Sequence, residues 1–547
     1  MYQLLNLVSS LENELGKKDI AETISLRISN IPTFDFQINN LVKYQNHKDI
    51  EDIKNSFSEI IEHEISIKSY EITENYFINI EIDIEIFVHN FKNIRNNIKV
   101  LSPQTVVIDY GGPNIGKPLH VGHLRSLNIG RSLYHINKLA GNNVLSDIHM
   151  GDWGMPVAQI ISYIDKNKID LSKINVDSLE NIYPEASKKY FEDDEFKALA
   201  QSTNKKLNQN SNVELKKWKK LKEISVNSIK ETLEILDHDF DLWMGESDVN
   251  HLIPEMLEKL IMEGKISLDN GAYVSNLNSE PKILITKSDG SYLYITTDLA
   301  TVINRIKKYK IDKALYIVDK RQKLHFKQLI DSIKYFGFGK QEYQHIPFGT
   351  MNDSNGNPYK TRDGNAKKLI DLYEETFIRL KEINNDLDDL TNKNLANTVL
   401  TFSDLITNRM TDYKFDLDKF TNITGKTGIY VQYAQVRAKK LVANSSIKFD
   451  KYKLDIDYLD ETDLNLIRGL IKFEYFFKLA LINSEPHHLA DYLYELSNLF
   501  NSMYQSENII ENKNEVVKYN KLKISQHFID YSELLMELLG LSPVNKM

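Results

Sequence analysis

Two histidines separated by a valine and a glycine have the clearest chemical potential in this sequence. His120 and His123 are three residues apart, so both side chains can project from one side of a helical turn. The first turn of a helix offers free N–H groups and a partial positive charge, which attract phosphate. Gly122 lets a flat ring approach the backbone, and Lys117 adds a charge just upstream. Such a group can bind a nucleotide and stabilise the charge that develops during displacement at phosphorus.

Two alternatives compete with this interpretation. Gly111, Gly116 and Lys117 fit the start of a P-loop, but Pro118 stands where that loop needs Ser or Thr to hold magnesium. A second Gly-Lys-Thr sequence further along the chain lacks the required upstream glycine. An isolated H-x-G-H would most often be two surface histidines near a helix end. Here a strand and a Gly-Gly-Pro turn precede the motif, and this context favours the nucleotide site.

The motif follows a β-branched run, Gln104 to Tyr110, which predicts a strand. A helical pattern covers about 122–139, and Asn143 to Ile148 predicts the next strand. This strand–helix–strand order indicates a parallel α/β sheet, in a domain that we place at 101–370. The polar, lysine-rich residues 165–225 predict helices inserted into it. Further strands are predicted at Lys282–Thr286, Tyr292–Ile295 and Ala314–Val318.

The segments on either side of this domain differ from it in pattern. Residues 1–100 combine a helical repeat of leucines with an alternating strand at Tyr76–Ile82 and an amphipathic helix at Phe87–Ile98, which predicts a small α+β domain. Residues 371–547 carry almost no strand signal and predict a helical bundle. Its helices are expected near 367–387, 393–411, 426–445, 459–483, 486–504 and 522–540.

The composition limits what the chain can do. Its 547 residues suggest about three or four domains. The absence of cysteine excludes disulfides, cysteine-bound zinc and a thiol nucleophile, whereas 14 histidines leave a metal site open, although no metal ligands are predicted. The net charge of −9 excludes a wholly basic nucleic-acid coat but not a local basic surface. No apolar run approaches the ~20 residues of a membrane helix, and no signal peptide is evident, so we expect a cytoplasmic protein without a membrane partner.

Together, the motifs resemble those of the class I aminoacyl-tRNA synthetases and, among these, the arginyl-tRNA synthetase family. The resemblance spans about residues 60–547, with a weaker match at Asp35–Asn39. Pro113–Ser126 is similar to the family's HIGH signature, and Tyr359–Gly364 occupies the place of its KMSKS loop, the second signature loop. Further similar segments are Gly151–Gly154, Phe240–Ser247, Asp289–Asp298, Asp319–Gln322 with His325, and Thr427–Ala434.

The resemblance implies an α/β fold, with a Rossmann-type catalytic domain, a tRNA-contacting N-terminal domain and an all-α anticodon-binding domain. It implies an arginine–tRNA ligase that activates L-arginine with ATP and Mg²⁺ to arginyl-adenylate and transfers arginine to the 3′ end of arginine tRNA. A monomer is expected. Two alternatives remain open: a non-catalytic synthetase paralogue, and an H-x-G-H nucleotidyltransferase, although the latter sequences are usually short and lack a large helical domain.

The resemblance also implies roles for residues at the phosphates. The second signature loop usually carries a lysine that grips the pyrophosphate, but Thr361 holds that position here. A subset of arginyl enzymes instead carries a lysine just before the first signature, where Lys117 stands. Lys117, His120 and His123 are therefore expected to be catalytic, with Lys360 and Arg362 as auxiliary phosphate contacts or, alternatively, as part of a solvated loop. The implied ATP-binding residues are Lys117, His120, Gly122, His123 and Thr361.

A guanidinium needs planar carboxylate partners that are shielded from water. The resemblance implies Asp298 and Glu246 as these partners, with Tyr294 one helical turn from Asp298. Asp298 could instead be an N-cap, since two threonines precede it. Position 109 is often Glu in the family, so the shorter side chain of Asp109 extends less far towards the substrate. The full implied set for arginine is Asp109, Asn114, Glu246, Tyr294, Asp298 and Gln322.

Contacts to tRNA are the least specific part of the resemblance. Tyr430, Tyr433 and Arg437 lie at helical spacing, and the two tyrosines fit core packing and base stacking equally well. Met547 resembles the family's ending and is included among the tRNA contacts. The basic run Lys216–Lys220, which contains a tryptophan, is more typical of a solvated helix face than of a tRNA contact.

Overall fold

The computed structural model describes residues 4–18, 20, 24–89, 98, 102–288, 290–357, 359, 367–445 and 454–547. The chain forms an N-terminal part with an antiparallel sheet, a central part with a parallel sheet, and a helical C-terminal part. Across the described residues, no helix is both long enough and apolar enough to cross a bilayer.

The N-terminal part packs two long helices on a four-stranded antiparallel sheet. Its elements are α1 (Leu4–Lys17), β1 (Leu26–Ile28), β2 (Phe36–Ile38), α2 (Ile50–Glu62), β3 (Ile67–Ile72), β4 (Ile78–Ile82) and α3 (Ile84–His89). The strand order is β1–β2–β4–β3. The predicted strand at 76–82 is confirmed as β4. Of the predicted helix at 87–98, α3 covers the beginning, and nearly all of the remainder lies outside the described residues.

The central part is built on four parallel strands in the order β10–β9–β5–β6. Its elements are β5 (Thr105–Tyr110), α4 (Leu124–Leu139), β6 (Asn143–Asp147), α5 (Met155–Lys166), α6 (Val176–Glu192), α7 (Asp194–Asn208), α8 (Asn212–Ile235), α9 (Glu246–Val249), α10 (Ile253–Met262), β7 (Ile266–Asp269), β8 (Ala272–Ser275), α11 (Tyr294–Asn304), β9 (Lys313–Asp319), α12 (Lys323–Phe336), β10 (Glu342–Phe348) and β11 (Met351–Asn352). Val106, Val107 and Ile108 are all buried, as expected for a strand covered on both faces. The predicted strand–helix–strand unit is confirmed.

Two of the later strand predictions are wrong. Residues 282–286 form isolated bridges and no regular strand, and α11 begins inside the predicted strand at 292–295. The hydroxyl of Thr296 donates to the carbonyl of Ile285, so a β-branched run is held as helix by its tertiary contacts. The third predicted strand, at 314–318, is confirmed as β9, whereas β10 is a strand that the sequence analysis does not predict.

The predicted insertion at 165–225 is helical, as α6, α7 and most of α8. With α5 these helices enclose a small core of their own, which includes Ile160, Ile164, Leu179 and Leu221. This separate core explains why the sequence of the segment is polar and lysine-rich, because only one stripe of each helix needs to be apolar.

The C-terminal part is a bundle of helices, as predicted. Its elements are α13 (Leu369–Ile383), α14 (Asp389–Leu405), β12 (Tyr413–Lys414), α15 (Leu417–Phe420), α16 (Gly428–Asn444), α17 (Glu461–Ile471), α18 (Phe473–Asn483), α19 (His487–Ser506) and α20 (Glu515–Leu539). Helix α16 packs on α20, and α17 packs on α19. The short strand β12 pairs in parallel with β11, so the bundle is joined to the central part by backbone hydrogen bonds.

The helical part contacts both other parts. The hydroxyl of Ser132 on α4 donates to the carbonyl of Leu538 (2.8 Å). Arg468 on α17 donates to the buried carboxylate of Asp35 (3.0 Å), in the segment that weakly resembles the N-terminal signature. That carboxylate therefore fastens the N-terminal part to the helical bundle.

Candidate active site

The two histidines lie in the turn that leads from β5 into α4, and residues 120–123 are called the histidine turn below. Residues 121–123 form one 3₁₀ turn, and α4 starts at the next residue. The Nδ1 of His120 accepts the N–H of Gly122 (3.1 Å), and the Nδ1 of His123 accepts the N–H of His120 (3.0 Å). The ring centroids are 3.9 Å apart. Because the Nδ1 of His120 accepts, its neutral ring carries the proton on Nε2 and can donate it to a ligand. The Nδ1 of His123 also lies 3.2 Å from the carbonyl oxygen of His120, so the position of its proton depends on the tautomer.

Both imidazoles are neutral at pH 7. Burial, followed by the proximity of His120, lowers the pKa of His123 to about 3. Burial and the charge of Lys117 also lower the pKa of His120. The positive charge available to a phosphate at the histidine turn therefore comes from Lys117 and from the start of α4, while the two rings supply neutral hydrogen-bonding groups.

The backbone around the histidine turn is closely confined. A Cβ atom at Gly122 would lie 2.8 Å from Cε1 of His120, so a side chain there would displace that ring. On the other side, the N–H of Val121 donates to the carbonyl of Lys367, and the N–H of Leu369 donates to the carbonyl of Leu119, both at 2.9 Å. The chain that follows the second signature loop therefore runs directly beside the first signature.

A cleft of about 440 Å³, the nucleotide cleft, opens at the carboxyl ends of β5 and β9, where parallel sheets hold their ligands. The histidine turn forms one wall and β11 another. Asp109 and Gln322, which the family resemblance assigns to arginine binding, also line it. The structure thus brings the histidine turn and these two residues to one cleft of ligand size.

A buried ion network lies under this cleft. The Nη2 of Arg305, a completely buried side chain, is 2.6 Å from Oδ2 of Asp109 and 2.6 Å from Oδ2 of Asp147. The Nδ1 of His149 lies 3.8 Å from the same carboxylate of Asp147. Asp109 therefore reaches the edge of the cleft with one oxygen already paired and with its charge opposed by an internal guanidinium.

A second cavity of about 400 Å³, the acidic cavity, lies between the starts of α5, α9 and α11. Glu246 and Tyr294, the first residues of α9 and α11, line it. The completely buried Asp152 fixes the start of α9 because it accepts the N–H (2.9 Å) and the hydroxyl (2.6 Å) of Ser247. The Nζ of Lys222 lies 2.5 Å from Asp152. Glu246 is thus held at the cavity by a buried carboxylate next to it.

Among the described residues, Glu246 is the carboxylate that lines this cavity, together with Lys287; Asp298 does not line it but lies close enough to repel the charge of Glu246. Burial, then the charges of Asp298 and Asp152, raise the pKa of Glu246 to about 8. The Nε2 of His325 lies 2.6 Å from Oδ2 of Asp298; burial lowers the pKa of His325, but the contact with Asp298 outweighs it and raises that pKa. Burial and the charge of Glu246 raise the pKa of Tyr294. A cation that enters the cavity would relieve this repulsion.

Asp298 does not cap a helix. The N-cap of α11 is Leu293, and Asp298 is the fifth residue of the helix, one turn after Tyr294. The alternative of a capping role is therefore wrong, and the carboxylate points to the neighbouring helix α12 through His325 instead.

Lys117 and Asn114 lie exposed in the loop between β5 and the histidine turn. The Nζ of Lys117 is 3.9 Å from the ring centroid of Tyr183 on the inserted helix α6, a cation–π contact. The backbone of Asn114 forms a bridge with Gly151, which ties this loop to the one after β6. The predicted phosphate contacts Lys360, Thr361 and Arg362 lie outside the described residues.

The candidate tRNA contacts on α16 are half-buried and hydrogen-bonded within the bundle. The hydroxyl of Tyr430 donates to Asn498 (2.6 Å). The guanidinium of Arg437 donates to the hydroxyl of Tyr433 (2.8 Å) and to Asn501 (2.7 Å). These side chains therefore have a packing role in addition to any contact with tRNA.

Two other candidates also have internal partners. Met547 packs against the helical core. In the basic run on α8, the ring of Trp218 packs edge-on against Trp153 at 5.2 Å, and Lys217 pairs with Asp165 at 2.6 Å. The tryptophan of this run thus belongs to the core of the insertion, while lysines on the same helix face outward.

A group of possible metal ligands lies away from both cavities, at the turn before α19. One ligand atom from each of Glu485, His487 and His488 lies within 4.8 Å of the others. Glu485 already pairs with His488 (3.2 Å), and Arg409 donates to the carbonyl of Ser484 beside them (3.1 Å), which places a positive charge next to the group. The sequence analysis names no metal ligands, and this group does not adjoin the nucleotide cleft.

Three ionisable residues of the site escape the sequence analysis as site residues. Asp147 has a usable signal, since it is a polar residue at the carboxyl end of a predicted strand. His325 falls in a segment that resembles the family, but that segment does not indicate its pairing with Asp298. Arg305 lies in an ordinary basic stretch, and its partners are 196 and 158 residues away along the chain, so no local pattern points to it.

Comparisons with known proteins agree with this architecture. The family described as "tRNA synthetases class I (R), catalytic domain" matches residues 85–417, and the "DALR anticodon binding domain" matches residues 431–547. An arginine–tRNA ligase of Agathobacter rectalis is 32% identical over 544 residues, covering 90% of each chain. That of Francisella tularensis subsp. novicida is 34% identical over 522 residues, covering 89% of this chain and 90% of the other.

A solved structure gives the same result for the fold. The crystal structure of arginyl-tRNA synthetase from Plasmodium falciparum superposes with a TM-score of 0.82 at 25% identity, covering 99% of this chain and 98% of the other. The match of an anticodon-binding domain sets aside the small nucleotidyltransferase alternative. The chain therefore belongs to the arginyl-tRNA synthetases, the class I ligases that join arginine to tRNA.

Proposed function

We propose that the nucleotide cleft binds ATP and that the acidic cavity binds the guanidinium of arginine. The arginine carboxylate then attacks the α-phosphate in line, and pyrophosphate leaves; the terminal ribose hydroxyl of arginine tRNA next attacks the adenylate carbonyl, and AMP leaves. The observation that carries this assignment is the pairing of a phosphate-binding helix start with a cavity lined by Glu246, whose ionised form is disfavoured by burial and by the nearby charges of Asp298 and Asp152. ATP–pyrophosphate exchange with each amino acid in turn, in the presence of total tRNA, tests it, and exchange with an amino acid other than arginine would contradict it.

At the phosphates, Lys117, His120 and His123 are assigned the catalytic role. The Nε2–H of His120, the neutral ring of His123 and the ammonium of Lys117 supply hydrogen-bonding groups to oxygens that gain charge in the transition state, and fixed donors of this kind lower the barrier without reorganising. Gly122 leaves room for the nucleotide against the backbone. Lys360, Thr361 and Arg362 are proposed as further phosphate contacts.

At the substrate amino acid, Glu246 and Asp298 are assigned to the guanidinium, with Tyr294 beside them. Two carboxylates on neighbouring helices can share the five N–H donors of a planar guanidinium. Asp109, Asn114 and Gln322 are proposed to hold the α-amino and carboxylate groups, with Asp109 acting through the oxygen that Arg305 leaves available.

Arginine binding is expected to release a proton from Glu246. The pKa of its carboxyl is about 8 in the free protein, so the group is mainly neutral at pH 7, whereas a guanidinium favours its ionised form. Affinity for arginine should therefore rise with pH, by up to about tenfold for each pH unit below that pKa. Calorimetric titrations in two buffers of different ionisation enthalpy measure the proton released.

Variants separate this proton from others. Glu246→Gln should lose the release that occurs between about pH 7 and 8. Deprotonation of His325 would also favour a cation beside Asp298, so it too would raise the affinity for arginine as pH rises. His325→Gln is therefore measured as the comparison with Glu246→Gln. Proton release that is unchanged in Glu246→Gln would show that another group titrates.

Magnesium is proposed to arrive with ATP. Of the described residues that line the nucleotide cleft, the carboxylates belong to Asp109 and Asp319. Both are engaged: Arg305 pairs with Asp109 at 2.6 Å, and Arg321 pairs with Asp319 at 2.7 Å. Mg²⁺ prefers oxygen ligands and usually keeps several waters, so the phosphates would be its main ligands here. It would neutralise phosphate charge.

The remaining proposals concern tRNA and the cell. Tyr430, Tyr433, Arg437 and Met547 are proposed to contact tRNA through the atoms that stay exposed, within an anticodon-binding domain at 371–547. The part at 1–100 is proposed to contact the tRNA body, and 101–370 to be the catalytic domain. We propose that the protein is a cytoplasmic monomer.

Arginine activation is expected to depend on tRNA, as the resemblance implies. The chain at 367–369 hydrogen-bonds on both sides of the histidine turn and leads straight into α13, so tRNA seated on the helical part can alter the surroundings of that turn. Such coupling requires that tRNA bind the active state better than the resting one. Pyrophosphate exchange is measured without tRNA, with arginine tRNA and with a noncognate tRNA. Full exchange in the tRNA-free sample would rule the coupling out.

A further inference from the structure

The helix that begins at the histidine turn is held from behind by the helical part. Arg125, the second residue of α4, is 1% exposed. Its Nε donates to Oδ1 of Asp404 on α14 (2.7 Å), whose side chain is completely buried. The other oxygen, Oδ2, accepts the side-chain N–H of Asn128 on α4 (3.1 Å). One carboxylate from the helical part thus binds two side chains, three residues apart, on the first turns of α4.

The same guanidinium reaches a second piece of the helical part. Its Nη1 donates to the carbonyl of Thr411 (2.8 Å), and its Cζ lies 5.0 Å from the ring centroid of Tyr413. Tyr413 begins β12, which pairs in parallel with β11. Arg125 therefore contacts both α14 and the strand pair β11–β12.

Strand β11, the partner of β12, lies at the nucleotide cleft. Met351 and Asn352, which form β11, line this cleft and precede the second signature loop, 359–364, in the sequence. His123, two residues before Arg125, lines the cleft from the other side. A single buried ionic group, Arg125 with Asp404, is thus bonded to the helix that follows the histidine turn and is connected, through Thr411 and β12, to the strand on the other wall of the cleft.

We propose that Arg125 and Asp404 are positioning residues that fix the histidine turn relative to β11. Asp404 does not line the nucleotide cleft, and Arg125, which lines it, is 1% exposed and has its guanidinium engaged by Asp404 and Thr411. Their effect on the reaction is to hold the histidine turn and the wall formed by β11 at the separation that the transition state requires. This inference rests on the proposed role of the histidine turn.

The chemistry of the pair suits this role. Arg125 and Asp404 are 1% and 0% exposed in their side chains, so neither charge can be compensated by solvent if the other is lost. The bonds run to α14 and to a backbone carbonyl beside β12, so they restrain orientation as well as distance. Displacement of catalytic groups by about 1 Å typically costs about 100-fold in rate.

The experiment compares Asp404→Asn with a matched control. Asp463→Asn removes a completely buried charge that pairs with the buried Lys521 (2.9 Å), which also pairs with Asp460 (2.6 Å) and Glu507 (3.4 Å); this group joins α17 to α20 and does not touch α4. Pyrophosphate exchange in the presence of arginine tRNA and thermal unfolding are measured for both. Asp404→Asn should lower kcat about 10- to 100-fold while the KM values for ATP and arginine change by less than about threefold. Asp463→Asn should lower the unfolding temperature and leave kcat unchanged.

A milder variant covers the case in which Asp404→Asn does not fold. Arg125→Lys keeps a charge beside Asp404, but an ammonium cannot bond Asp404 and the carbonyl of Thr411 with the same geometry. Its kcat should fall in the same direction by a smaller factor, again without a rise in KM.

Two results would overturn the proposal. One is a wild-type kcat in folded Arg125→Lys or Asp404→Asn. The other is a loss of activity in Asp404→Asn that matches the loss in Asp463→Asn, which would make the pair purely structural. His123→Ala, assayed in parallel, distinguishes the proposals: if it is fully active, the role of the histidine turn itself is wrong, whereas an inactive His123→Ala beside an active Asp404→Asn removes only the positioning role.

Discussion

Asp298→Asn is expected to raise the KM for arginine about 100-fold and to change the KM for ATP by less than about twofold. The substitution keeps the shape of the side chain and removes a charge close to Glu246, which lines the acidic cavity. Loss of one partner of a buried ion pair costs about 3–5 kcal/mol, and the lower end applies because Asp298 is 29% exposed. Steady-state pyrophosphate exchange in the presence of arginine tRNA, over a range of arginine concentrations, measures it.

Asp269→Asn is the control for this substitution. Asp269 ends β7, is 45% exposed and pairs with Lys282, so the same chemical change is made away from the acidic cavity. Its KM for arginine should equal that of the unmodified protein. An unchanged KM for arginine in Asp298→Asn would place that carboxylate outside the arginine site.

Lys117→Ala is expected to slow adenylate formation by about 10²–10³-fold, and by more than Lys360→Ala does. The second signature loop carries Thr361 where a lysine is usual, so Lys117 is expected to supply the charge that stabilises the leaving pyrophosphate. In the structure its ammonium lies over Tyr183 next to the histidine turn and is exposed, which leaves it free to bind a ligand. Single-turnover measurements of adenylate formation compare the two variants. A larger loss in Lys360→Ala would reverse the assignment.

Local patterns in the sequence are sufficient to predict the elements that carry the first signature. The β-branched run at 105–110, the helical repeat after Gly122 and the strand pattern at 143–147 each predict their element, and the structure contains all three. The helical bundle is equally predictable, because each of its helices has an apolar stripe long enough to recognise.

The incorrect predictions arise where tertiary contacts overrule local preference. Residues 292–295 have the composition of a strand, but Tyr294 begins α11 because the following side chains pack into the central core. The family resemblance identifies Asp298 and Glu246. The raised pKa of Glu246, by contrast, follows only from its burial near other carboxylates in the folded structure. Ion pairs such as Arg125 with Asp404 join positions 279 residues apart and leave no local trace.

The buried Arg305 bears on how the enzyme distinguishes one end of its substrate from the other. Arginine carries a cation at each end, and a site rich in carboxylates could accept it in either direction. Arg305 occupies Asp109 and Asp147, the carboxylates beneath the nucleotide cleft, with a guanidinium that belongs to the protein. Those acids consequently compete poorly for a second guanidinium, which leaves Glu246 in the acidic cavity as the proposed partner of the substrate guanidinium. The internal arginine would thus favour one orientation of the bound substrate over the reverse.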